Sequence, residues 1–156
     1  MAILNYSTIV EVEKSISEIQ KCLREHGANA VLTEYDDQGY VTALSFKITL
    51  EGNPLGFRLP TDWRPVLEIM KQQKKALIER GKDEDKLKAI QVKNQEQAMK
   101  VAWRITKDWV EAQMAIVETK MVTLSQVFFP YAVTKNGDTV YEHVTKNPNL
   151  LLGDGK

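Results

Sequence analysis

The segment from residue 95 to residue 120 constrains the fold most, because it resembles one long helix with apolar residues on two sides. With residues placed about 100° apart around a helical axis, the apolar positions fall into two stripes. The first stripe holds Ala98, Val101, Ala102, Ile105, Trp109, Ala112 and Ile116, and the second holds Met99, Trp103, Val110, Met114 and Val117. A surface helix buries one such stripe. The second stripe therefore predicts another covering surface, which we assign to a second copy of the chain in a homodimer or larger oligomer.

The composition is that of a globular protein without net charge. Lysine and arginine number 21, as do aspartate and glutamate, which argues against binding of nucleic acid by bulk charge. Cys22 is the only cysteine, so neither an intramolecular disulfide nor a thiolate zinc cluster is predicted. The sequence contains no apolar run of membrane-spanning length and begins with no recognisable signal peptide. We therefore expect a cytoplasmic protein.

Four strands are predicted from alternating apolar and polar residues, at 6–12, 30–35, 40–50 and 55–59. A capping box of Ser15 and Glu18 predicts the start of the first helix, and Gly27 predicts its end. A C-terminal hairpin is predicted around Lys135-Asn136-Gly137-Asp138, between residues 131–134 and 139–144, because Asn-Gly is typical of two-residue turns.

The predicted fold is α+β, with a mostly antiparallel four-stranded sheet in the order β-α-β-β-β. The sheet packs on two long helices, and the C-terminal β-hairpin follows them. We assign residues 1–156 to a single domain. Its parts are a β-rich half at 1–60, two long helices at 61–120 joined by a charged linker at 79–93, a short helix and the hairpin at 121–146, and a tail at 147–156.

Little in the sequence is typical of an active site, and we predict no catalytic residue, no metal and no cofactor. His26 and His143 are the only histidines, and neither has a metal-ligand motif around it. An alternative is an enzyme that uses Glu34 and Asp36 with a divalent cation. In the simpler interpretation, Asp36 and Asp37 only form the turn between two strands.

A set of arginine and tryptophan residues is the strongest candidate for ligand binding. The set consists of Arg58, Trp63, Arg64, Trp103 and Arg104. Aromatic rings stack on nucleobases and guanidinium groups bind phosphate, so the set predicts a site for a nucleotide-like ligand or nucleic acid. Two other interpretations stay open. The tryptophans can be core anchors whose neighbouring arginines point outward, or the set can mark an oligomer interface, where both residue types are frequent.

Four strings of the sequence, taken together, resemble a family of small uncharacterised proteins of tailed bacteriophages and prophages. These are TEYDD at 33–37, FRLP at 57–60, AWRITKDWVEAQ at 102–113 and FFPY at 128–131. The resemblance covers most of the chain. It implies a phage origin and a bacterial host cell, but no activity and no site residues.

Three functions follow as hypotheses. The first is a non-catalytic phage binding protein that captures a nucleotide-like ligand or nucleic acid, one form of which sequesters a host immune signalling nucleotide in counter-defence. The second is a protein–protein interaction module that inhibits a host enzyme or serves phage DNA replication. The third is the divalent-metal-dependent enzyme with Glu34 and Asp36.

Overall fold

The computed structural model describes residues 3–78 and 85–151, which contain five α-helices and a three-stranded antiparallel sheet. In chain order the elements are α1 (Val12–Glu25), β1 (Ala30–Tyr35), β2 (Val41–Leu50), β3 (Asn53–Arg58), α2 (Trp63–Ile78), α3 (Asp85–Glu118), α4 (Leu124–Phe128) and α5 (Val140–Lys146). Short 3₁₀ helices at Phe129–Tyr131 and Pro148–Leu150 follow α4 and α5.

The chain divides into two compact units, each built from two separate stretches of sequence. The first unit comprises Met1–Gln20 and Thr61–Glu111, and the second comprises Lys21–Pro60 and Ala112–Lys156. The core of the first unit includes Val66 on α2 and Ala98, Val101 and Ala102 on α3. The single-domain assignment stays a prediction.

The sheet is a meander in the order β1-β2-β3, and its two faces differ in burial. The register places Val31 opposite Phe46 and Phe46 opposite Phe57. We call the face that carries these residues the inner face. The rings of Phe46 and Phe57 stack with centroids 5.0 Å apart, and Phe128 of α4 meets Phe46 edge-on at 5.4 Å. This aromatic cluster is the centre of the second unit, and its edge and offset contacts are favourable ring geometries.

The three predicted strands of the meander are confirmed, because alternation and turn chemistry agree there. Asp36 Oδ1 accepts hydrogen bonds from the backbone N–H groups of Gln38 and Tyr40, which fixes the turn after β1. Between β2 and β3, Glu51 and Gly52 have φ values of 50° and 80°. Positive φ at both central residues matches the twist of the flanking strands and is typical of a two-residue hairpin.

The predicted fourth strand, at residues 6–12, is wrong. Residues 4–7 form a turn and α1 already begins at Val12. The backbone carbonyls of Tyr6 and Thr8 accept hydrogen bonds from the side-chain amide of Gln97 on α3, at 3.1 and 2.9 Å. These carbonyls are satisfied by a helix side chain instead of a neighbouring strand, so alternation alone misidentified the segment.

The capping box predicted at Ser15 is also wrong, because Ser15 lies inside α1. Its side chain is buried, and within the described part of the chain its hydroxyl has no hydrogen-bond partner. Glu18 pairs instead with Arg104. The predicted helix end is confirmed. Gly27 has a φ of 103°, and Ala28 N–H donates to the carbonyl of Leu23, as in a glycine-terminated helix.

The predicted C-terminal hairpin is wrong beyond its turn. Gly137 has a φ of 87°, and one bridge joins Val133 to Thr139. The chain then enters α5, because Thr139 and Glu142 form a capping box in which each side chain accepts the other's backbone N–H. Two satisfied backbone donors at this point favour a helix over a second strand.

The predicted architecture, a four-stranded sheet on two long helices with a C-terminal hairpin, is wrong, because the described sheet has three strands. The apolar stripes of α2 and α3 meet in the core of the first unit, where Trp63, Leu67, Met70 and Ile105 pack around the buried cluster. In the second unit, the inner face of the sheet packs on Phe128 of α4. The long helices therefore bury each other's apolar residues.

Helix α3 is longer than predicted, and most of its second stripe is already buried. It begins at Asp85, so residues 85–93 of the predicted linker are helical, whereas residues 79–84 lie outside the described residues. Met99, Trp103, Val110 and Met114 are buried within one chain. Their burial needs no second copy, and the oligomer stays a prediction.

Candidate functional site

The second face of the sheet, which we call the outer face, carries an open apolar groove. The register places Ala30 beside Lys47 and Lys47 beside Gly56 on this face, with Leu32, Ser45 and Arg58 in the adjacent row. The groove has a volume of about 400 Å³, and its lining is almost entirely apolar. We call it the outer groove. Its lining residues on the outer face are Ala30, Leu32, Ser45, Lys47 and Gly56, together with Val133.

Small residues at neighbouring sheet positions create the outer groove. Ala30, Ser45 and Gly56 are small outer-face residues of β1, β2 and β3; Ser45 lies between Leu32 and Arg58, and Lys47 lies between Ala30 and Gly56. Val133 extends the surface beyond β3, since its backbone N–H donates to the carbonyl of Gly56 at 2.8 Å. A Cβ atom built on Gly56 would meet only Cγ of Lys47, at 3.9 Å, which is ordinary contact distance. The position therefore has room for a larger side chain, or for a ligand.

Strand β1 borders the outer groove and is an edge of the sheet. It pairs with β2 on one side, and the described strands provide no partner on the other. Leu32 is 60% exposed and Tyr35 is 63% exposed. An edge strand presents backbone N–H and C=O groups that another chain can pair with, and natural proteins usually protect such edges. This edge therefore offers both hydrogen-bonding groups and apolar contacts.

Two cations stand on the outer face without an acidic partner. Lys47 lines the groove and Arg58 lies one row away, on the neighbouring strand. Neither side chain forms an ion pair with the side chains described for residues 3–76 and 95–151. Other cations such as Lys100 and Lys107 do have carboxylate partners. The groove is therefore an apolar surface bordered by two cations that lack an acidic partner among these side chains.

The two tryptophans of the predicted site are placed as parts of the core. Trp103 is only 2% exposed, so its ring has no free face for a nucleobase. Trp63 is the first residue of α2 and packs, half-buried, against the core cluster of the first unit. Stacking on a base needs an open ring face, which the position of Trp103 does not offer.

The predicted arginines differ in their surroundings. Arg104 donates to Glu18 at 2.6 Å, and Arg64 donates to Asp62 at 2.9 Å. Partial burial raises the pKa of the Asp62 carboxyl, but the hydrogen bonds from Arg64 outweigh this effect and hold the pKa below its usual value. These two guanidinium groups are therefore already neutralised. Arg58 belongs to the other unit, where it borders the outer groove.

The carboxylates of the enzyme hypothesis lie at a turn. Asp36 is engaged by two backbone N–H groups, and Glu34 is exposed on β1. Throughout residues 3–78 and 85–151, no group of three or more His, Cys, Asp or Glu side chains is arranged to hold a metal ion. The turn geometry alone accounts for the position of Asp36.

The outer groove was missed at the sequence level, although a signal was present. Ala30, Ser45 and Gly56 are small residues at outward positions of three consecutive strands. Sequence shows that each is small but not that they are neighbours, because this depends on the strand register.

No protein-family model, no curated protein and no solved structure matches the chain. The resemblance to phage proteins stays a prediction. None of the described helices has the length and apolar character needed to cross a membrane. The function is therefore argued from the groove and the edge strand.

Proposed function

We propose that this protein is a non-catalytic protein–protein interaction module that binds an extended segment of a partner polypeptide along β1. The outer groove beside this edge strand carries the proposal, with its volume of about 400 Å³ and its apolar lining. The added segment pairs with β1 on the side opposite β2 and places one apolar side chain in the groove.

Strand addition suits the chemistry of this surface. Main-chain hydrogen bonds to an exposed sheet edge supply affinity, and pockets for alternate side chains supply specificity. Side chains of an added strand that project on the outer face lie next to Ala30 and Leu32. The short side chains of Ala30 and Ser45 leave the apolar surface beside Leu32 open towards the edge. An apolar side chain of the added strand can lie on this surface and bury area that water now contacts.

Capture of a nucleotide-like ligand has less support. Burial of Trp103 and the pairing of Arg104 with Glu18 remove two of its five side chains from direct contact with a ligand. The outer groove offers few polar groups to the edge of a base. The metal-dependent enzyme with Glu34 and Asp36 is supported less still, since Asp36 is committed to its turn.

The setting of the proposed module is the cytoplasm of a bacterial host, as the resemblance to phage proteins implies. The partner is then a host or phage polypeptide with an accessible extended segment. A disordered tail or loop fits this requirement, because an extended segment can pair with a sheet edge as it orders.

The test is a titration of the ¹⁵N-labelled protein with a panel of capped heptapeptides of the form Thr-Glu-Thr-X-Thr-Glu-Thr, where X is Phe, Leu, Ile or Val. Threonine favours an extended chain, and alternation puts X and both glutamates on one face. We expect at least one peptide to shift the amide resonances of β1 and Ser45 and to slow amide exchange along β1. If no peptide affects β1, the proposed module is wrong.

Two valine substitutions on β2, one inside the groove lining and one outside it, separate binding in the groove from general effects on the sheet. Ser45→Val places a larger side chain in the groove on β2, directly opposite Leu32. Ala43→Val adds a similar side chain to the outer face of β2, opposite Glu34 and outside the groove lining. We expect Ser45→Val to weaken peptide binding about tenfold, whereas Ala43→Val changes it little, because one buried side chain contributes roughly 1.5–3 kcal/mol. If both variants weaken peptide binding equally, the side chain X does not bind in the outer groove.

A further inference from the structure

We propose that the outer groove selects an acidic segment, by binding a partner carboxylate between Lys47 and Arg58 next to the apolar side chain in the groove. This inference rests on the proposed function and names the chemistry of its partner. Its basis is the combination of an apolar surface with two cations that lack acidic partners in the described part of the chain.

The register brings the two cations within reach of one carboxylate. Lys47 lies opposite Gly56 and Ser45 lies opposite Arg58, so Lys47 and Arg58 are diagonal neighbours on adjacent strands. Diagonal neighbours of an antiparallel pair are roughly 7–8 Å apart. A carboxylate has two oxygens, each of which can accept a charge-assisted hydrogen bond from one of the cations. Lys47 and Arg58 can therefore contact the carboxylate from their positions on β2 and β3.

The sheet geometry also places the partner carboxylate near Lys47. Neighbouring strands are about 4.8 Å apart, so a strand added to β1 lies about 10 Å from β2. The extended side chains of glutamate and lysine together span this distance. Ala30 lies directly opposite Lys47, and its methyl group leaves space for the partner glutamate side chain to approach Lys47. The cation at Lys47 is therefore accessible from the edge strand.

The charge on β1 itself determines the end at which the acidic residue binds. Glu34 lies two residues beyond Leu32 on the outer face and faces Ala43 across the strands. An acidic partner residue beside Glu34 would be repelled, whereas one beside Ala30 meets Lys47. The bound segment thus has its carboxylate at the Ala30 end of β1 and its apolar side chain near Leu32 and Ser45.

The test uses the tightest peptide of the panel in two single-glutamate forms, Thr-Glu-Thr-X-Thr-Gln-Thr and Thr-Gln-Thr-X-Thr-Glu-Thr, and compares them with the form in which both glutamates are glutamine, using the intact protein. We expect one single-glutamate peptide to bind about three- to tenfold more tightly than the glutamine form at low salt, and the preference to shrink at high salt. Lys47→Met and Arg58→Met keep an apolar stem and remove the charge. Each should reduce the preference about two- to fivefold, whereas the control Lys14→Met, which removes an exposed cation of α1, should leave it unchanged.

The outcomes separate this inference from the proposed function. Equal binding of the glutamate and glutamine peptides overturns the carboxylate site but leaves the interaction module intact. If no peptide binds, the module fails, and decanoate, an apolar chain with one carboxylate, tests the site alone. Decanoate shifts at Gly56 that weaken in Lys47→Met and Arg58→Met support the carboxylate site. The absence of such shifts overturns it.

Discussion

At the scale of single residues, His26 uses both ring nitrogens just beyond α1. Nδ1 lies 2.6 Å from the backbone carbonyl of Cys22, and Nε2 lies 2.7 Å from a carboxylate oxygen of Glu118. A neutral imidazole has only one N–H, so donation at both positions requires the protonated ring. The hydrogen bond to Cys22 raises the pKa of His26 above its ordinary value of 6.5, burial opposes the rise, and Glu118 adds to it.

This geometry gives the stability a dependence on pH. A group whose pKa is raised by folding stabilises the protein fully below its unfolded pKa of about 6.5, and this contribution is lost as the pH rises through the folded value. We therefore expect the free energy of unfolding to fall as the pH rises from about 6.5 through the raised pKa of His26 in the folded protein. Urea unfolding followed by circular dichroism measures it. His26→Gln should flatten the profile, and equal slopes for both proteins would refute the assignment.

Two residues of the predicted ligand set should differ sharply in their effect on stability. Trp103 is 2% exposed, and Trp103→Ala should cost about 3–5 kcal/mol because it leaves a large cavity. The Arg64 side chain is 75% exposed, and Arg64→Ala should change stability by no more than about 0.5 kcal/mol. Denaturant unfolding of both variants measures the contrast. A small loss for Trp103→Ala would contradict its place in the core.

At the scale of elements, the meander was predictable because local and non-local signals agree there. Leu44, Phe46 and Ile48 alternate in the sequence and are buried together on the inner face. The turn at Asp36 relies on a side chain only two residues from the N–H of Gln38. Alternation and turn chemistry are both readable from sequence.

The elements that were mispredicted depend on partners distant in the sequence or on competing local signals. Gln97 is about ninety residues from the carbonyls of Tyr6 and Thr8, which it engages. No local sequence pattern predicts such a distant partner. The helix α5 is different, since Thr139 and Glu142 form a readable capping box. The Asn-Gly turn signal competes with the cap that follows it, and the cap determines the structure after the turn.

The N-terminal segment provides a test at the scale of an element. Gln97→Ala removes both hydrogen bonds to the carbonyls of Tyr6 and Thr8. We expect a loss of about 1–2 kcal/mol, since each bond contributes roughly 0.5–1.5 kcal/mol. Amide exchange at residues 6–10 should accelerate more than exchange in β2. Uniform acceleration throughout the chain would show instead that the segment is not held by this side chain.

At the scale of the whole molecule, the chain passes between its two units three times. The first boundary follows Gln20 and lies inside α1, the second follows Pro60, and the third follows Glu111 and lies inside α3. A helix resists interruption because each residue adds a backbone hydrogen bond to a nucleus already formed. Because α1 and α3 each continue from one unit into the other, we expect the folding of one unit to favour the folding of the other. All three tryptophans lie within Thr61–Glu111, which belongs to the first unit, so their fluorescence reports on that unit.

Cooperative unfolding of the two units follows from these shared helices. Phe128→Leu weakens the aromatic cluster of the second unit, where Phe128 meets Phe46 and Phe57, and should cost about 1–2 kcal/mol. If the units unfold together, tryptophan fluorescence in the first unit should report the same loss as amide exchange in β2 of the second. Ala43→Val, on the outer face, serves as the control and should shift neither reporter appreciably. An unchanged fluorescence midpoint with faster exchange in β2 would mean that the units unfold independently, despite the helices that they share.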